Sequence, residues 1–149
     1  MEGVAITNDE IQITNQSKST NDKKVYDLVE RTSKFGGDII DFVKTLVRDN
    51  VNNRLIDQIV RSATSIGANY MEADGAESKK DFIHKISICK KESKETEHWL
   101  KMLAKANENR IEECRKLWKE VHELTLIFSS IINKSKYNKW FGIYHLKLT

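Results

Sequence analysis

The sequence predicts an all-α protein, an antiparallel up-down-up-down four-helix bundle, on three observations. Proline is absent from all 149 residues and 32% of them are charged, a composition that permits long uninterrupted helices and disfavours a turn-rich β fold. Four stretches repeat apolar residues at alternating gaps of three and four, the period of a single helix face. The breaks between them, Asp49-Asn50-Val51-Asn52-Asn53, Asp74-Gly75-Ala76 and Ala106-Asn107-Glu108-Asn109, are short enough to join antiparallel neighbours.

From Thr14 to Asp22 the chain is polar and without a period, so residues 1–22 are expected to form a flexible arm, with order beginning near Asn21 to Lys24. The bundle is expected over residues 23–136. Its first helix places Val25, Leu28, Thr32, Phe35, Ile39, Phe42 and Leu46 on one seam. Gly36-Gly37 interrupts that seam at about 1 kcal/mol each relative to alanine, which points to a closely packed neighbour.

The second helix, capped within Asp49 to Asn53 and running to about Ala73, carries two unlike stripes. Leu55, Ile59, Ile66, Tyr70 and Ala73 are apolar; Gln58, Ser62, Ser65, Asn69 and Glu72 form a small polar seam beside them. Such a helix suits two close neighbours, with hydrogen bonds across the second contact. Ser78 caps the third helix, whose inward positions are Phe82, Ile86, Cys89, Ser93, Thr96, Leu100 and Leu103. The fourth presents Cys114, Leu117, Val121, Leu124, Phe128 and Ile131. The aromatic and basic tail, residues 137–149, shows no clear period and is expected as a docking strand or a frayed end.

Net charge is +3, with Glu2, Asp9, Glu10 and Asp22 against Lys18 leaving residues 1–22 at −3 and the rest mildly basic at +6. That falls short of a strong nucleic-acid binder's usual excess. The two cysteines, Cys89 and Cys114, lack CxxC spacing and fall on helix seams, as buried reduced thiols do. Neither a signal peptide nor a membrane span is expected, which places the chain in the cytoplasm.

The third helix sorts its charges by side. Lys80, Lys91, Lys94, His98, Lys101 and Lys105 fall in one stripe, which could line a phosphate backbone of RNA or DNA; the competing role is a lysine-rich face kept for solubility. Asp81, Ile88, Glu92, Glu95 and Trp99 fall on the other flank. Large apolar groups beside carboxylates suit an interface, so Ile88, Glu92, Glu95 and Trp99, with Gln58, Ser65, Asn69 and Glu72 of the second helix, are the expected subunit contact.

No metal site is expected. A di-iron bundle needs Glu-x-x-His twice, and Glu95-Thr96-Glu97-His98 supplies it once, on residues facing away from the seam. Arg115 and His122, seven apart on one helix face, match the loose Arg-x6-His pattern of HEPN ribonucleases, in which His acts as acid or base and Arg steadies phosphorane charge. There is no glycine-rich phosphate loop, nucleophile elbow or pair of catalytic carboxylates at recognisable spacing, hence no expected cofactor or small-molecule substrate.

The segment Arg61 to Leu100 carries Ser65, Ile66, Asn69, Tyr70 and Glu72, a short glycine turn, Lys79, Lys80 and Phe82, then Glu92, Ser93, Glu95, Trp99 and Leu100. This pattern resembles the small four-helix-bundle proteins encoded in intervening sequences of bacterial 23S ribosomal RNA genes. The likeness extends more loosely from Val25 to Ser135. It implies a homo-oligomer, a pentameric ring of bundles, and kinship with accessory proteins of diversity-generating retroelements, which bind nucleic acid and a reverse transcriptase. The function expected from all of this is a non-enzymatic, self-assembling binding or scaffold module with nucleic acid as the favoured partner. The alternatives are a purely structural homo-oligomer and a HEPN-like ribonuclease.

Overall fold

The computed structural model describes residues 27–147, with side-chain surroundings given for residues 27–136. All regular structure among them is helical: α1 (Leu28–Lys44), α2 (Asn50–Asp74), α3 (Lys79–Ala106) and α4 (Ile111–Lys147), the last entered through a single 3-10 turn, Glu108–Arg110. Each of the first three starts where a short polar side chain can take up free backbone N–H groups. Asp27 accepts from Glu30 N at 3.2 Å, Asp49 from Val51 N and Asn52 N at 2.9 and 2.7 Å, and Ser78 from Asp81 N at 3.1 Å. The arm expected over residues 1–22, and Val25 of the first seam, lie outside the described residues.

Contacts between successive helices run in opposite residue order. Across α2 and α3, Asn52 meets Asn107, Ser62 meets Thr96 and Glu72 meets Lys85. Across α3 and α4, Lys101 lies over Trp118 and Glu97 meets Thr125. Across α1 and α2, Gly36 abuts Ala63 and Thr64 while Gly67 abuts Thr32. Each pair is antiparallel. α1 leans chiefly on α2 and meets α4 at fewer positions, notably where Arg31 forks onto Glu120 at 2.7 and 3.1 Å and reaches Glu123 at 3.1 Å.

The core follows the seams. Phe35, Ile39 and Phe42 of α1, Leu46 just past its end, Ile86, Cys89, Leu100 and Leu103 of α3, and Cys114, Val121, Leu124 and Phe128 of α4 are all buried. In α2 the buried face is wider than the sequence stripe: Ile56, Ala63 and Gly67 are buried along with Ile59 and Ile66, and Gly67 lies against α1. At Gly67 α1 and α2 pack closely: a Cβ there would lie 3.5 Å from the backbone of Thr32 and Ser33. Gly36 repeats the approach at 3.7 Å to Thr64 Cα, whereas Gly37 has nothing within 4 Å, so close packing accounts for one glycine of the pair. Accordingly, Gly67→Leu should cost roughly 1–3 kcal/mol by forcing the helices apart. Gly37→Leu should be neutral or stabilising by up to about 1 kcal/mol. Equal melting temperatures for the two variants would refute the close crossing.

α4 continues through Tyr137, where the sequence suggested a docking strand or a frayed end, to Lys147. With no proline to remove a donor, i→i−4 bonding can propagate past the last periodic residue. No helix among the described residues is long and apolar enough to cross a membrane.

Candidate nucleic-acid interface

α3 has a role on every side. Its innermost positions are in the core, one flank meets α2, the other meets α4, and the outward stripe is left to solvent. Lys80, Lys91, Lys94, His98, Lys101 and Lys105 are all exposed, and the stripe is roughly 38 Å long at 1.5 Å per residue. Among the described residues, Lys80, Lys91, Lys94 and Lys101 enter no ion pair; Lys105 Nζ approaches Glu108 only to 3.8 Å. His98 sets its ring edge-on to Trp99, centroids 4.8 Å apart. The stripe is therefore a run of cations with little internal compensation.

Toward α4 the stripe gains residues that sequence spacing did not connect with it. Lys101 Nζ sits 5.7 Å from the centroid of the Trp118 ring, inside the range of a cation–π contact. Beside it opens a cavity of about 420 Å³ lined by Leu100, Lys101, Ala104, Ile111, Cys114, Arg115, Trp118 and Lys119. Arg115, Trp118 and Lys119 are three and four residues apart, one helix face, but nothing local tells which residue of α3 they face. His122 stacks on Trp118 at 4.6 Å with the planes 10° apart.

Arg115 and His122 each have a separate partner. Arg115 pairs with Glu112 one turn earlier, while His122 Nδ1 lies 3.3 Å from Glu97 Oε1 on α3, which also accepts from Thr125 Oγ1 at 2.7 Å. Trp118 lies between the two residues along the helix. The Glu95 to His98 segment behaves similarly: Glu95 is taken by Arg61 and accepts from Trp99 Nε1 at 3.1 Å. Among the described residues no group of three or more His, Cys, Asp and Glu side chains is gathered for a metal.

On the flank read from sequence as a subunit contact, the carboxylates pair within the chain, between α2 and α3. Arg61 reaches Glu92 at 3.2 Å as well as Glu95, and Lys85 pairs with Glu72. Ser65 donates to Arg61 O at 2.7 Å and Asn69 to Ser65 O at 2.8 Å, so both spend their polarity on their own helix. Ser62 is fully buried and lies 2.9 Å from Thr96 Oγ1, so the polar seam does supply hydrogen bonds across its second contact, and that contact is α3. Gln58 is exposed; Ile88 and Trp99 are half-buried, Trp99 resting against the core.

The two thiols are poor nucleophiles. Burial pushes Cys89 up to about 12 and Cys114 up to about 11, leaving almost no thiolate at neutral pH. Cys89 instead donates to Ile66 O across the α2–α3 contact at 3.6 Å. Burial also raises the phenol of Tyr70, which packs against Phe128 with ring centroids 6.2 Å apart.

Comparison with known proteins places this architecture. No curated protein matches the chain. A crystal structure of a protein of unknown function from the S23 ribosomal protein family, from Bacteroides thetaiotaomicron VPI-5482, is similar at 35% identity and a TM-score of 0.62, covering 70% of this chain and 97% of that one. Residues 12–130 match the family described as 23S rRNA-intervening sequence protein, a span that starts earlier than the Val25 boundary suggested by the motifs. On the strength of that match and of the four-helix bundle, the chain belongs to the 23S rRNA-intervening sequence protein family.

Proposed function

We propose that the protein is a non-enzymatic, self-assembling module that binds the phosphate backbone of RNA or DNA through the outward face of α3. The observation that supports this most is the stripe itself: Lys80, Lys91, Lys94 and Lys101 are exposed and without ion pairs among the described residues, along one uninterrupted helix. A duplex presents one phosphate per 3.4 Å of each strand, so a rod of cations gains by releasing condensed counterions and needs no base contact. Self-assembly, as a pentamer, rests on the family resemblance, with Ile88 and Trp99, which the single chain buries only in part, as its candidate contacts.

The test is a salt titration of binding to structured RNA and duplex DNA. Five contacts would give a slope near −4.5 in log K against log salt, or roughly 10² to 10³ lost between 50 and 200 mM. The triple reversal Lys91→Glu, Lys94→Glu, Lys101→Glu should abolish binding at 100 mM salt without changing the melting temperature by more than a few degrees. Undiminished binding by that variant sinks the interface. Cleavage of the RNA during the titration sinks the non-enzymatic half, and a light-scattering mass equal to the 17.3 kDa chain sinks self-assembly.

A further inference from the structure

We propose that the α3–α4 cavity at Trp118 takes one unstacked nucleobase of a single strand, with the neighbouring phosphates held by Lys101, Arg115 and Lys119. The site deepens the backbone-binding function and rests on it, because Lys101 belongs both to the α3 stripe and to the cavity rim. The floor is apolar, built from Leu100, Ala104, Ile111, Cys114 and the Trp118 ring, while the charged side chains lining the cavity are all cationic. At about 420 Å³ it falls within the range of small-ligand pockets. An apolar floor under a cationic rim asks for a flat, weakly polar body attached to anions. A nucleotide unit meets that description; a duplex, whose bases are paired and stacked, does not.

The charge is in place: Glu112 pairs with Arg115, while Lys101 and Lys119 enter no ion pair among the described residues. His122, stacked on Trp118 and placed beside Glu97, braces the indole from the far end of the site.

The experiment uses the full chain and three probes: a 12-nucleotide oligoadenylate RNA, an abasic 12-mer of the same charge, and an oligoglutamate 12-mer. At one salt concentration the oligoadenylate should bind about tenfold tighter than the abasic strand, and oligoglutamate weaker than either. Ala104→Phe, which fills the cavity from α3, should remove the tenfold preference and leave abasic binding and its salt slope unchanged. Equal binding of the two strands by wild-type protein overturns the base site while leaving backbone binding intact; no binding of either strand at 50 mM salt overturns both. A preference that survives Ala104→Phe, or oligoglutamate as the tightest probe, also rules the base site out.

Discussion

Truncation of Phe128 to alanine is expected to lower unfolding free energy by about 3–5 kcal/mol, a large share of the stability of a domain this size. The ring is fully buried on α4 and meets Tyr70 of α2 across the bundle. It joins two helices that are not neighbours in the chain. Removing it takes away the transfer energy of an aromatic ring and leaves a void that α2 and α4 cannot close without disturbing the antiparallel contacts on either side. Leu126, two residues earlier and 57% exposed, is the control: Leu126→Ala should stay within about 0.5 kcal/mol. In urea unfolding the Phe128 variant should show a lower midpoint at unchanged slope. A loss under about 1 kcal/mol would mean that the ring is not at the centre of the core.

The second large effect is expected at the end of the bundle where the α1–α2 and α3–α4 connections lie side by side. Asn52 and Asn107 exchange two amide hydrogen bonds of 2.9 Å each; Asn52 also donates to Val47 O at 2.8 Å and Asn107 to Leu103 O at 2.9 Å. Both side chains are buried, so each amide depends on the other. Asn107→Ala strands the Asn52 carbonyl oxygen away from water and should cost about 1–3 kcal/mol. Asn52→Ala does the reverse and frees Val47 O as well. Because the first truncation already breaks the exchange, the double variant should cost less than the two singles combined, with a coupling of roughly 0.5–3 kcal/mol. Additive losses would show that the two connections are not clasped.

Much of the bundle is legible along the chain because it depends on local spacing. The α3 seam from Ile86 to Leu103 and the α4 positions Cys114, Val121, Leu124 and Phe128 are buried as their three-and-four repeat predicts, and Asp49 and Ser78 cap as side chains of that type do. On α2 the same rule is ambiguous. Ile56, Ala63 and Gly67, spaced seven and four, form a third stripe beside the two recognised ones. Small residues give a weak hydrophobic signal even though their smallness lets α1 approach. The stripe of lysines on α3 is likewise visible from spacing, since it needs only one helix.

The sequence by itself determined the helices, their caps, the inward seams and the sorting of charge around α3, all of which follow from a period of 3.6 residues. Only the tertiary structure decided which residues meet across helices. It turned Glu92 and Glu95 onto Arg61 of α2, joined His122 to Glu97, and set Lys101 over Trp118. It also carried α4 through the tail to Lys147. The physical reason is that periodicity specifies which side of a helix faces inward. The axial offset between two antiparallel helices is set by the packing of all the side chains between them, and no local window of the chain contains that sum.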